Sequence, residues 1–152
     1  MIRIFIDADA CPVKEEVYDV ARRLRLSVVV VANRPIHVPH EPGIEQRVVE
    51  DGPDAADDWI VDQIGAGDLV ITADIPLAAR CLERGAFALG SNGRELTQDA
   101  IGGALASREI HAFIRSAGGE TRGPAPLTAR DRSRFLNTLD RLAHQAMRSQ
   151  GA

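Results

Sequence analysis

"IRIFIDADACPVKEEVYDVARRLRLSVVVVA", residues 2–32, decides the fold. Residues 2–6 are apolar apart from Arg3 and read as a buried strand. The period then changes, because Val13, Val17, Val20, Ala21 and Leu24 recur at helical spacing after Pro12, a residue suited to a first helical turn. "LSVVVVA" at 26–32 is β-branched and apolar throughout, the pattern of a strand inside a parallel sheet covered on both faces. Strand, helix and strand in that order predict a right-handed βαβ unit.

The alternation continues outward. Asn33 to Gly43 carries Pro35, Pro39 and Pro42 and reads as a loop, after which "QRVVE" at 46–50 suits a short strand. Asp54 to Ile64 reads as a helix with Ala56, Trp59, Ile60 and Ile64 on one side, and "GDLVIT" at 67–72 as a third long-run strand. Pro76 opens a helix carrying Leu77, Cys81 and Leu82, and "AFALG" at 86–90 reads as a fourth main strand. Beyond Gly90 the pattern is helical only, near 97–106, 108–116 and 129–148, with a Gly/Pro-rich connector at 117–126. Thr128 followed by Asp131 suits the start of the last helix, which is expected to bury Phe135, Leu139 and Leu142. This is the order of an α/β protein with a mostly parallel sheet of four to five strands. One domain is expected over 1–152, with an α/β core at 1–90 and a helical part at 91–152.

No stretch approaches the roughly 20 apolar residues of a membrane span, and the acidic pair after Ile6 interrupts any export signal. Cys11 and Cys81 lack metal-type spacing and make a poor disulfide framework, so a reducing cytoplasm is the expected compartment. Net charge is −4, which argues against a general nucleic-acid binder, but it is unevenly distributed. Residues 1–76 hold 15 Asp and Glu against 7 Lys and Arg, whereas residues 77–152 hold 7 against 11. Such a split suits either an acidic pocket flanked by an arginine surface or a solvated surface with no design.

Ligands of open parallel sheets bind outside the carboxyl ends of the strands. Asp7 and Asp9 leave the first strand, Asp74 leaves "DLVIT", and Asp54, Asp57 and Asp58 open a helix on which residues three or four apart share a face. Carboxylates gathered in one pocket repel each other unless a cation or protons compensate. Mg²⁺ or Mn²⁺ is the natural partner, and metal-assisted phosphodiester cleavage the reaction suggested. Each acid also has a structural alternative: Asp54 and Asp9 as helix caps, Asp74 as a turn former, Asp58 as a solvated helix residue.

"DADACPVK" at 7–14, "VVANR" at 30–34, "GPDAADDWI" at 52–60, "GDLVITADIPLA" at 67–78 and "RDRSRF" at 130–135 together resemble the YaiI/YqxD family of bacterial proteins. That family is grouped with the PIN-like domains, three-layer α/β sandwiches whose acidic pocket binds Mg²⁺ or Mn²⁺ and usually cleaves RNA. The resemblance implies Asp7 as the first-strand metal acid, Asp54 or Asp57 as the acid of the central helix, and Asp74 as the acid after the later strand. A further PIN-like acid has no counterpart, since the loop after the fourth strand reads Ser91, Asn92, Gly93 with Glu95 nearby, and Asp9 is the residue placed to supply that charge. The implied reaction is in-line attack of water on single-stranded RNA, leaving a 5′-phosphate and a 3′-hydroxyl. Lys14 either holds a phosphate or pairs with Asp9, and Arg34, Arg80, Asn92 and Arg94 are candidate substrate contacts near strand ends. A non-catalytic metal or nucleotide binder is the competing expectation, and self-association is left open.

Asp7 and Asp9 also resemble the aspartate pair of haloacid dehalogenase-type phosphatases, but Cys11 stands where Thr or Val is wanted and no lysine follows Lys14. Cys11 near a helix start has either a reactive thiol or a packing role. His37 and His40 are expected in a surface loop, and Gly65 to Gly67 in a helix-ending turn.

Overall fold

The computed structural model of the chain describes residues 2–8, 11–50, 54–102 and 127–151. Strands β1 (Arg3–Asp7) and β2 (Ser27–Ala32) pair in parallel, Phe5 opposite Val29 and Asp7 opposite Val31, and the helix between them is α1 (Lys14–Leu24). Continuing along the chain are β3 (Ile44–Val48), α2 (Ala55–Gln63), β4 (Leu69–Ile71), α3 (Ile75–Glu83), β5 (Phe87–Leu89) and β6 (Glu95–Leu96). A helical turn at 98–102 follows, and the final helix is α4 (Ala129–Gly151). Expectations for 103–126, including a helix at 108–116, fall outside the described residues.

The six strands form one sheet in the order β3-β2-β1-β4-β5-β6, parallel except for the antiparallel β5–β6 pair. The expectation of four to five strands, with helix alone after Gly90, is therefore corrected by β6. Its two residues are too few to show any period, and what makes them a strand is pairing of Leu96 with Ala88 and Glu95 with Leu89.

Both faces of the sheet are covered, which gives a three-layer α/β sandwich. The alternation of side chains along β1 splits the core: Ile4 and Ile6 pack with Val17, Tyr18 and Leu139 beneath α1 and α4. Phe5 points to the other face, among Ile60, Leu77 and Cys81 beneath α2 and α3. Trp59 of α2 meets Phe5 with ring centroids 6.2 Å apart and planes inclined at 60°, so α2 lies across β1. The run Val28 to Val31 is buried on both sides, as its lack of alternation requires.

At the amino edge of the sheet the buried Asp68 accepts from Arg3 N at 3.0 Å and Gly65 N at 2.9 Å, and pairs with the Arg3 guanidinium at 3.2 Å. These bonds satisfy a charge that would otherwise be buried at considerable cost. At the opposite edge, α4 begins with a reciprocal cap: Thr128 N donates to Asp131 and Asp131 N donates to Thr128 Oγ1, both at 3.1 Å. Phe135, Leu139 and Leu142 of α4 are fully buried. Among the described residues no helix is long and apolar enough to cross a membrane.

Candidate functional site

From β1 the sheet runs through β2 to β3 in one direction, and from β4 through β5 to β6 in the other. The crevice between β1 and β4 is the topological switch point, where the two sets of loops diverge and leave room for a ligand. Asp7 ends β1, and Thr72 and Asp74 follow β4, so the sheet order alone brings these residues together.

Thr72, 2% exposed, organises the carboxylates. Its hydroxyl donates to Asp7 Oδ2 at 2.9 Å and accepts from Asp74 N at 3.0 Å. Asp74 in turn caps α3, Oδ1 accepting from Leu77 N at 3.0 Å, a backbone bond that fixes the orientation of its carboxylate. Asp74, read in the sequence as a turn former, is instead the side-chain cap of α3, and it lies at the switch point. Thr72 was missed in the sequence, where it looked like the last residue of an apolar strand; a buried hydroxyl between a strand and an N-capping aspartate is the signal that identifies it.

α2 begins at the same edge and contributes Asp54 and Asp57. Asp54 occupies the N-cap without a side-chain capping bond, so its carboxylate is not consumed by the helix. The Asp57 carboxyl is pushed up to about 6 by burial and by the charges of Asp74, Asp7 and Asp54, with Arg80 opposing. Four carboxylates from β1, α2 and the β4–α3 loop therefore share one electrostatic neighbourhood. Asp58 turns away to pair with Arg80 at 3.0 Å. Asp9 lies outside the described residues.

A proton binds folded Asp57 more tightly than an unfolded aspartate of ordinary value 3.8, so raising the pH from 3.8 toward 6 removes more protons from the unfolded state's counterpart first and stability falls. In EDTA, unfolding by urea is expected to show this loss across that window. Asp57→Asn should abolish it and, after allowance for solvent screening, stabilise the protein at neutral pH by on the order of 1 kcal/mol. An unchanged pH profile in the variant would contradict the clustering.

The loop after β5 closes the crevice on its other side. Burial pushes the Cys11 thiol up, so Cys11 is a packing residue and not an activated nucleophile. Burial also pushes Cys81 up to about 12. Asn92 Oδ1 is turned inward to accept from Arg94 N at 3.1 Å, while the Arg94 side chain is exposed. Glu95, the nearest acid in that segment, pairs with Arg141 at 3.0 Å. Lys14 donates to the Cys11 carbonyl at 2.8 Å. Arg34 is exposed in the loop after β2, and His37 and His40 are exposed farther along it. Among the described residues no group of three or more His, Cys, Asp or Glu side chains is arranged to hold a metal ion by itself.

Fold and site together define an open, mostly parallel α/β sandwich with a carboxylate cluster at its switch point. The chain belongs to the YaiI/YqxD family: the model described as "Uncharacterized BCR, YaiI/YqxD family" matches residues 5–145. A UPF0178 protein of Rhodospirillum rubrum is 53% identical over 91% of this chain and 93% of its own length. Another from Gluconacetobacter diazotrophicus is 56% identical over 92% and 91%. A third, from a Caulobacter species, is 55% identical over 97% and 98%.

Proposed function

We propose that the switch-point carboxylates hold a divalent cation at which a phosphodiester of single-stranded RNA is hydrolysed. The observation that supports this reading is the mutual repulsion centred on Asp57, whose carboxyl is raised to about 6 by burial and by Asp74, Asp7 and Asp54. A fold that tolerates such repulsion gains from a cation placed among the acids. The donor set, carboxylate oxygens without thiolate or imidazole, fits Mg²⁺ or Mn²⁺. These ions keep several waters and need only one or two protein carboxylates beside a substrate phosphate, so Asp7 with Asp74 or Asp57 would hold one.

When bound, the cation supplies charge neutralisation at phosphorus and activation of water. The chain's own groups do the rest. Thr72 keeps Asp7 in one orientation, and the α3 cap keeps Asp74 in another. With the cation on Asp7 and Asp74, Asp57 beside them would be the group placed to accept the proton of the attacking water. The PIN-like resemblance points to the same chemistry. Two buried free thiols, Cys11 and Cys81, support a reducing compartment such as the cytoplasm.

A second reading, a metal or nucleotide binder without catalysis, is favoured by the pairing of Glu95 with Arg141, which removes the nearest additional acid. Thermal melting in EDTA and in rising Mn²⁺ tests the cation site. Saturating Mn²⁺ is expected to raise stability, by about 2.7 kcal/mol at a hundredfold excess over Kd. No shift at millimolar Mn²⁺ overturns the cation site in both readings and leaves a nucleotide binder. A shift without cleavage of labelled single-stranded RNA selects the binder.

A further inference from the structure

Two sets of arginines differ in their partners. Arg3, Arg22, Arg23, Arg80, Arg132 and Arg141 form ion pairs with nearby carboxylates. Arg94, Arg130 and Arg134 are exposed and form no ion pair among the described residues. Arg130 and Arg134 lie one turn apart on α4, and Arg94 directly follows Gly93, which packs on Arg134.

The packing of α4 brings them together. Gly93 sits so tightly on α4 that a Cβ there would lie 2.7 Å from the Arg134 carbonyl carbon and 2.8 Å from its Cγ. Thr138 Oγ1 ties the same turn down by donating to Gly93 O at 2.8 Å. Arg132 reaches the other way, donating to Pro12 O at 3.3 Å and to Glu16 at 2.7 Å. The start of α4 is thus clamped between the β1–α1 loop and the β5–β6 turn. Arg130 and Arg134, four residues apart, share one helical face about 6 Å apart along the axis. The acid facing them, Asp131, is already engaged as the cap of Thr128.

This surface is continuous with the acidic crevice. Thr72, whose hydroxyl holds Asp7, lies against the start of the β5–β6 turn, since a Cβ at Gly90 would stand 4.0 Å from Thr72 O and 3.1 Å from Asn92 Oδ1, and Gly93 carries the turn on to Arg94 and Arg134. A phosphate backbone is repelled by the carboxylates themselves and needs positive charge beside them to be held in register. We infer that the backbone of a single-stranded nucleic acid crosses the Ser91–Arg94 turn and lies along Arg94, Arg130 and Arg134. The inference rests on the reading of the acidic crevice as a polynucleotide site and names the surface that delivers the polymer to it.

Fluorescence anisotropy of the full chain with single-stranded RNA and DNA oligonucleotides of one sequence, in EDTA and low salt, tests it without any cleavage. The double variant Arg130→Glu with Arg134→Glu is expected to bind at least roughly tenfold more weakly and to lower the slope of log affinity against log salt by roughly one to two. The pair Arg130→Lys and Arg134→Lys, which keeps the charge and the methylene contact on Gly93, should retain affinity. Arg94→Glu gives an independent arm should the double variant melt early. Equal affinity for RNA and DNA assigns the contacts to phosphate, and tighter RNA binding adds the ribose hydroxyl. Unchanged affinity in both glutamate variants, or no binding by the wild type, overturns the inference, leaving the Mn²⁺ shift to judge the cation site. Arginine-dependent binding in a protein that shows no Mn²⁺ shift supports the surface and overturns the cation site alone.

Discussion

Asp7→Asn is expected to cut single-stranded RNA in Mn²⁺ roughly a thousandfold more slowly than the wild type, about 4 kcal/mol of lost transition-state stabilisation. Asparagine has the shape of aspartate and keeps an oxygen that can accept from Thr72 Oγ1, whose bond to Asp7 is 2.9 Å long. The fold should therefore persist. What disappears is the negative charge nearest the end of β1, and with it one source of the repulsion that raises Asp57. Two readouts consequently move in opposite directions: cleavage and the Mn²⁺-induced rise in Tm fall, while stability in EDTA is unchanged or greater. Loss of cleavage with an equal loss of folded stability would mean that Asp7 is structural. Equal cleavage by both proteins would trace the nuclease to contamination.

Gly93→Ala is expected to be the most damaging small substitution, costing roughly 2–4 kcal/mol. Gly93 has φ of +87°, a left-handed conformation that alanine adopts only at a cost. The added Cβ would also stand 2.6 Å from Phe135 N and 2.7 Å from the Arg134 carbonyl carbon, backbone atoms that cannot swing aside as a side chain does. Relief requires the β5–β6 turn to lift from α4, which strains the Thr138 bond to Gly93. Urea unfolding measures the cost, with Gly102→Ala as the contrast. Among the described residues no atom lies within 4 Å of a Cβ at Gly102, so that exposed helical site should be neutral or gain a few tenths of a kcal/mol. Equal stability of the two variants would show that the turn does not depend on this close approach.

The cluster of acids was legible in part because strand ends are legible. Asp7 follows an apolar run that can only be a buried strand, and Asp74 follows another just before a proline that starts a helix. Asp54 and Asp57 were readable as the opening of a helix, and only the rule for strand ends and the family resemblance put them in one pocket with Asp7. Spacing on α2 places Asp57 and Asp58 equally well, and it was the Arg80 guanidinium that drew Asp58 off while Asp57 faced the other carboxylates. Thr72 was invisible because a threonine ends strands for many reasons, and only its two hydrogen bonds give it a role. β6 was invisible because two residues have no period.

By itself, then, the sequence determined the α/β class, the positions of the main elements and the family, since hydrophobic period and turn residues are local properties that a chain carries wherever it folds. The order β3-β2-β1-β4-β5-β6 was decided only in three dimensions, because any parallel strand can pair with any other until the helices between them are packed. That order puts β1 beside β4 and so makes one crevice of Asp7, Thr72 and Asp74. It also needed tertiary packing to seat Gly93 on α4 and bring Arg94 to Arg134, since close approach depends on what the rest of the chain leaves open at that turn.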